Sequence, residues 1–182
     1  YEYLTAGKSL HIGQKLYRSR VTPIGQKKIK WDKMGCPPKE LTTAGRANPI
    51  GIPYLYLSDS AKTTYFEVRA VYLDKLSVGT FRIEKDLKLI DFVYDVNLFL
   101  SYNDGSVPLK ETIIKKKVIE AISSDLSKPL RRYDSEIEYV PTQLICEYCR
   151  RIVDSEGATA DGITFESSLH KGGRNYVLFD ES

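Results

Sequence analysis

The sequence predicts an α+β fold, a mixed sheet with helices packed around it, and two observations predict it. Segments with strand alternation and segments with helical spacing both occur, yet they do not follow the regular strand, helix, strand rhythm of a doubly wound sheet. At 182 residues, 42% hydrophobic and 28% charged, the chain also has the length and composition of a single globular domain with a proper core. No internal repeat, low-complexity segment or linker divides it, so residues 1–182 read as one domain.

The first predicted element is a strand over residues 15–21, where Tyr17 and Ser19 alternate with Leu16, Arg18 and Arg20. Residues 22–43 carry Pro23, Gly25, Gly35, Pro37 and Pro38 with no sustained period, and read as a long loop of the kind that often carries function. Tyr54 to Leu57 reads as a short strand running into Ser58, Asp59 and Ser60, a cluster of helix N-cap residues. Ala61, Tyr65 and Val68 then recur at helical spacing and place Glu67 in the later part of a helix. Strands are expected over 79–84 and 87–93, followed by a loop at Asn103, Asp104 and Gly105. Ile114, Val118, Ala121, Ile122 and Leu126 predict an amphipathic helix with the lysine run 115–117 on its outer face. A further helix is expected after Pro141, with Leu144, Tyr148 and Ile152 on one side, and two strands close the chain at 162–167 and 175–179 around a Gly172, Gly173 turn.

Composition narrows the function classes. The 27 Lys and Arg are nearly balanced by 24 Asp and Glu, which does not argue for nucleic-acid binding, and both basic runs, 27–30 and 115–117, read first as solvated faces. No apolar run is long enough for a bilayer span and no signal sequence opens the chain, so the expectation is a soluble, cytoplasmic protein. The chain starts at Tyr1 and its sole methionine is Met34, which reads as a processed product or part of a longer polypeptide. Three cysteines do not form a disulfide framework at this size, and a reducing compartment is the simpler reading. Cys146 and Cys149 have metal-like spacing, but no second pair accompanies them and the two histidines are not spaced as i, i+4 ligands. Two buried small side chains on a helix are the expectation, and no metal site is assigned.

The stretch from Gly45 to Leu57, with Glu67 downstream, places an arginine, tyrosines and a carboxylate close together. Guanidinium, phenol face and carboxylate complement a phosphate, an aromatic ring and a developing positive charge, a set that fits a nicotinamide dinucleotide. Taken singly, each residue has a plainer reading: Arg46 as a surface arginine, Tyr56 as a packed strand tyrosine, Glu67 as a solvated helix residue.

Tyr17 to Arg20, Gly45 to Leu57 with Glu67, Tyr139 to Gln143, Asp161 to Ser168 and Asn175 to Phe179 together resemble the RES domain family over nearly the whole chain. The resemblance implies a fold similar to ADP-ribosyltransferase toxins and an NAD+-degrading activity, in which NAD+ is substrate and no separate cofactor is required. Some members hydrolyse the bond to nicotinamide and others use phosphate as acceptor, so NAD+ glycohydrolase and NAD+ phosphorylase both stand. Known members include toxins paired with a DNA-binding antitoxin, which makes an antitoxin or other regulatory protein the implied partner. A protein ADP-ribosyltransferase and a non-catalytic nucleotide-binding or partner-binding module are the alternatives, although a retired site has no need for the full set of residues.

On this resemblance Arg46, Tyr56, Glu67 and Ser167 are the candidate catalytic residues. Arg46 would hold phosphate or ribose oxygens, Tyr56 would stack on nicotinamide, Glu67 would bind ribose hydroxyls or stabilise the cation, and Ser167 would orient a ribose oxygen. Arg18, Arg20, Tyr54 and Asn175 are the candidate substrate-binding residues. Arg18 ranks above Arg20 for a phosphate contact, against a plain arginine pair on an exposed strand face. Tyr54 is a second pocket wall ranked below Tyr56, and Asn175 competes with a turn role after Gly173. By strand alternation Glu166 faces away from Ser167; turned inward, it would add a second carboxylate.

Overall fold

The computed structural model describes residues 7–93, 108–128, 136–152 and 157–179. Among these, seven strands form one mixed sheet and three α-helices pack around it, an α+β fold. The strands are β1 (Gly7–Leu10), β2 (Lys15–Val21), β3 (Leu55–Ser58), β4 (Leu76–Arg82), β5 (Leu87–Asp91), β6 (Gly162–Glu166) and β7 (Arg174–Leu178). Their spatial order is β1, β5, β6, β7, β3, β2, β4, with β5 and β6 parallel and every other pair antiparallel. The helices are α1 (Ala61–Glu67), α2 (Leu109–Ser127) and α3 (Val140–Arg151).

Alternation along the central strands divides the core between the two faces of the sheet. Ile90, Ile163 and Val177 point to one face, where Ile119 and Leu126 of α2 and Cys146 and Cys149 of α3 cover them. Leu89, Leu178, Leu55 and Leu57 point to the other and pack with Leu10, Leu16 and Ile83. Gly162 lets β6 pass close to β7: a Cβ there would lie 2.2 Å from the carbonyl oxygen of Val177. The two cysteines are fully buried, as expected of small core side chains, and burial pushes both thiols up, that of Cys149 to about 12.

β2 and the 162–179 hairpin follow the sequence pattern closely, β1 was not expected, and Ser60 caps α1 by accepting from the Thr63 N–H at 3.1 Å. β4 begins three residues earlier than expected, because Leu76, Ser77 and Val78 continue the pairing with Val21, Arg20 and Ser19. Both longer helices form, and Leu126 and Ile152 are buried as expected, but each helix is rotated from the rest of its predicted face. On α2 the buried positions are Thr112, Ile119 and Leu126, whereas Ile114 and Val118 are exposed. On α3 they are Thr142, Cys146 and Cys149, and Leu144 and Tyr148 face outward. On α3 the smaller residues fit closer to the sheet, whereas on α2 the buried stripe runs through Thr112, Ile119 and Leu126, seven residues apart. The expected loop at 103–105 lies outside the described residues. No helix among the described residues is long and apolar enough to cross a membrane.

Candidate active site

A cleft of about 390 Å³ opens where β2, β3 and β7 meet α1, the loop at 45–48 and the end of α2. Arg18, Arg46, Tyr56, Glu67 and Asn175 all line it. Five candidate residues scattered over more than 150 positions of sequence therefore share one cavity.

Its acidic wall is built on Glu67, the last residue of α1. The Ser167 hydroxyl donates to Glu67 Oε1 at 2.6 Å, and the Asn175 amide donates to the same oxygen at 2.8 Å. Asn175 is in turn oriented by Ser58, whose hydroxyl donates to its Oδ1 at 2.8 Å. Both donors converge on Oε1, and among the described residues Oε2 is left for a ligand. Asn175 is a strand residue of β7 rather than part of the preceding turn. Ser167 lies one position beyond β6 and is buried, held by its N–H to the Gly173 carbonyl and by accepting from the His170 N–H at 3.0 Å. This turn needs glycine, since a Cβ on Gly173 would sit 2.7 Å from Thr63 Oγ1 and 2.8 Å from His170 Nδ1. Glu166 is exposed and does not line the cleft, but it lines an adjoining groove together with Ser167, because Ser167 lies beyond the end of β6 where strand alternation stops.

The opposite wall is the loop at 45–48. The Tyr56 hydroxyl donates to Asn48 Oδ1 at 2.7 Å and accepts from the Ala47 N–H at 3.2 Å, and burial pushes its pKa up, so the phenol is a neutral hydrogen-bonding group. Asn48 Nδ2 donates to the carbonyls of Thr43, Pro49 and Ile52, closing a turn in which Gly51 adopts φ +78°. From α3, Thr142 donates to the Arg46 carbonyl at 2.7 Å and Gln143 to the Gly45 carbonyl at 2.8 Å. The Arg46 side chain donates to the Asp125 carbonyl in the last turn of α2 at 3.0 Å and lies over the Tyr139 ring. That carbonyl belongs to the negative end of the helix, so the guanidinium rests on a weak anion-like partner that a phosphate can replace.

The remaining candidates are placed differently. Arg18 lines the cleft while donating to the Met34 and Gly35 carbonyls at 3.1 and 2.7 Å. Arg20 shares its strand face, as period-2 alternation requires, but donates to the Lys33 carbonyl at 2.6 Å on an exposed surface outside the cleft. Tyr54 also lies outside it. Its hydroxyl donates to Glu147 of α3 and its ring packs 5.0 Å from Phe179, so the turn before β3 carries it into the core.

In the sequence Asn48, Thr142 and Gln143 carry no role beyond the motifs that contain them and Ser58 reads as a helix N-cap candidate, yet all four hold other residues in place. The pairing of Asn48 with Pro49 signalled a turn, and Thr142 and Gln143 follow the helix-starting Pro141; their partners are backbone carbonyls, which leave no trace in sequence. Lys128, beside the cleft at the end of α2, was likewise not foreseen. No group of three or more His, Cys, Asp or Glu that could hold a metal ion occurs among the described residues.

A family model described as RES domain matches residues 15–182. The comparisons with curated proteins and with solved structures each returned no match.

Proposed function

The chain belongs to the RES domain family, and from that premise we propose that it is an NAD+-consuming enzyme that cleaves the nicotinamide–ribose bond, as a glycohydrolase or a phosphorylase. The family is generally linked to NAD+-related toxin activity and found in toxin–antitoxin pairs. A bacterial toxin or defence effector acting in the cytoplasm, held in check by an antitoxin, is the corresponding biological reading.

The observation that carries the proposal is the Glu67 carboxylate, fixed by two donors on one oxygen and facing Tyr56 and Arg46 across a single cleft. Departure of neutral nicotinamide leaves oxocarbenium character on the ribose, and a pre-oriented carboxylate stabilises that charge more in the transition state than in the ground state. Because Ser167 and Asn175 hold Oε1, Glu67 needs no reorganisation as the charge develops. The Tyr56 ring supplies a flat apolar surface for the nicotinamide. Arg46, with Arg18 across the cleft, is the bidentate donor for the diphosphate.

A protein ADP-ribosyltransferase is the second reading. It is favoured by a polar groove of about 540 Å³ that adjoins the cleft at Ser127 and is lined by Ser167, Glu166 and Arg174, a route for an acceptor side chain.

The test is incubation of purified protein with NAD+, with and without inorganic phosphate, following nicotinamide release and the identity of the ribose product. ADP-ribose formed without phosphate identifies a glycohydrolase, a phosphorylated product a phosphorylase, and label transferred to added protein a transferase. No turnover under any of these conditions would overturn the proposal.

A further inference from the structure

The net charge of the chain is only +3, yet it is concentrated at one end of the sheet. Residues 22–33 and 68–82, the two loops around the β2/β4 pair together with β4 itself, hold seven Lys and Arg against two Asp, a local +5. One of those acids is already used, since Asp74 accepts from the Val71 N–H at 2.9 Å. The loops start from a common point: Thr22 donates its N–H to the Lys75 carbonyl at 2.7 Å, and Ser77 binds both the Thr22 hydroxyl and the Ile29 N–H at 2.8 Å.

This basic end also exposes large apolar side chains. Ile24 is fully exposed, and Trp31, Tyr72 and Leu73 are 89%, 93% and 85% exposed. Leu73 is held at φ +83°, a left-handed conformation unfavourable for a bulky residue, and is retained here while presenting the side chain to solvent. From that common point runs β4, the terminal strand of the sheet, seven residues long. Among the described residues its outer edge has no backbone partner. Proline is absent from it and its one charged residue, Arg82, stands at its end, so two of the usual protections of an edge strand do not interrupt its length.

We propose that the outer edge of β4 and its two flanking loops dock an acidic, extended segment of a partner protein, which adds a strand to the sheet. The free backbone groups supply register and affinity, Trp31 and Leu73 supply apolar anchors, and the lysines select a negatively charged segment. A second copy of this chain does not fit, because edge-to-edge pairing would bring two +5 surfaces together. An anionic membrane satisfies the charge and the apolar side chains but not the hydrogen-bonding edge.

The chain has one tryptophan, Trp31, so docking carries its own reporter. The experiment titrates the protein with a blocked heptapeptide alternating Glu with Val and Ile, with its Lys-for-Glu counterpart, and with phosphatidylcholine vesicles with and without phosphatidylserine. Trp31 emission and amide exchange of residues 76–82 are followed. The acidic peptide is expected to shift Trp31 emission to the blue in a saturable way and to protect the β4 amides. Binding by the combined Lys27→Glu, Lys28→Glu, Lys30→Glu variant is expected to be about tenfold weaker, three surface charge contacts' worth. No response to the acidic peptide, an equal response to the basic one, or a response to phosphatidylserine vesicles alone would each overturn the proposal. None of these readouts involves NAD+, so the result stands apart from the enzymatic reading.

Discussion

The two walls of the cleft are held by different kinds of bond. The Glu67 wall is a side-chain network in which Ser167, Asn175 and Ser58 orient one another and converge on a carboxylate oxygen. In the Gly45 to Asn48 wall, side chains of Asn48, Thr142 and Gln143 instead bind backbone carbonyls, and only Tyr56 joins side chain to side chain. The first arrangement fixes where a charge sits, and the second fixes where the chain runs. Substitutions on the first wall should therefore change chemistry with little change in shape, whereas those on the second should move the wall itself.

The strongest break in that comparison is Glu67→Gln. The amide keeps an oxygen to accept from Ser167 and Asn175 but carries no charge, so the network survives while the electrostatic stabilisation is lost. NAD+ turnover is expected to fall about 10²- to 10³-fold with an unchanged melting temperature. Turnover within a few-fold of the parent would remove Glu67 from the mechanism and make its wall a structural one.

Gly45→Ala tests the second wall and should affect shape first. The added Cβ would lie 2.5 Å from Asn48 Oδ1 and 2.8 Å from the Tyr56 hydroxyl, so the pair that closes the loop must separate. The expected cost is about 1–3 kcal/mol of stability, read by denaturant unfolding. Displacing Arg46 by about 1 Å would slow turnover up to roughly 10²-fold. A stable variant with normal kinetics would show that the loop has slack which the tight packing around Gly45 does not suggest.

This difference also explains what the sequence made legible. Arg46 and Ser167 stood out only through the family motifs, since Arg46 alone reads as an ordinary surface arginine, whereas β2 and β7 showed in plain alternation. Tyr54 and Tyr56 looked equivalent by period 2, yet only Tyr56 reaches the cleft, because Tyr54 precedes the strand and turns toward α3. Arg18 and Arg20 looked equivalent too. Their separation depends on where the long loop returns, a contact set by the Lys33, Met34 and Gly35 carbonyls rather than by any side chain. The rotation of α3 escaped for a related reason: periodicity ranks side chains by hydrophobicity, and close approach to the sheet favoured Thr142, Cys146 and Cys149 by size.

The second wall leans on α3, and α3 leans on its cysteines, which gives the smallest of the expected effects near neutral pH and a clear one in alkali. Burial raises both thiols well above their ordinary value of 9.0, so the folded protein keeps two protons that the unfolded chain releases. With more protons bound in the folded state, stability is fully present below about pH 9 and declines as pH rises toward the folded values. The slope is about 1.4 kcal/mol per pH unit for each thiol. Urea unfolding at pH 8, 9 and 10 should show this decline, and Cys149→Ala should flatten its share of it while lowering stability at every pH through the lost sulfur contacts. A pH-independent midpoint across that range would mean that α3 opens to solvent readily, and the Gln143 and Thr142 bonds to the active-site loop would then be too transient to hold Arg46 in place.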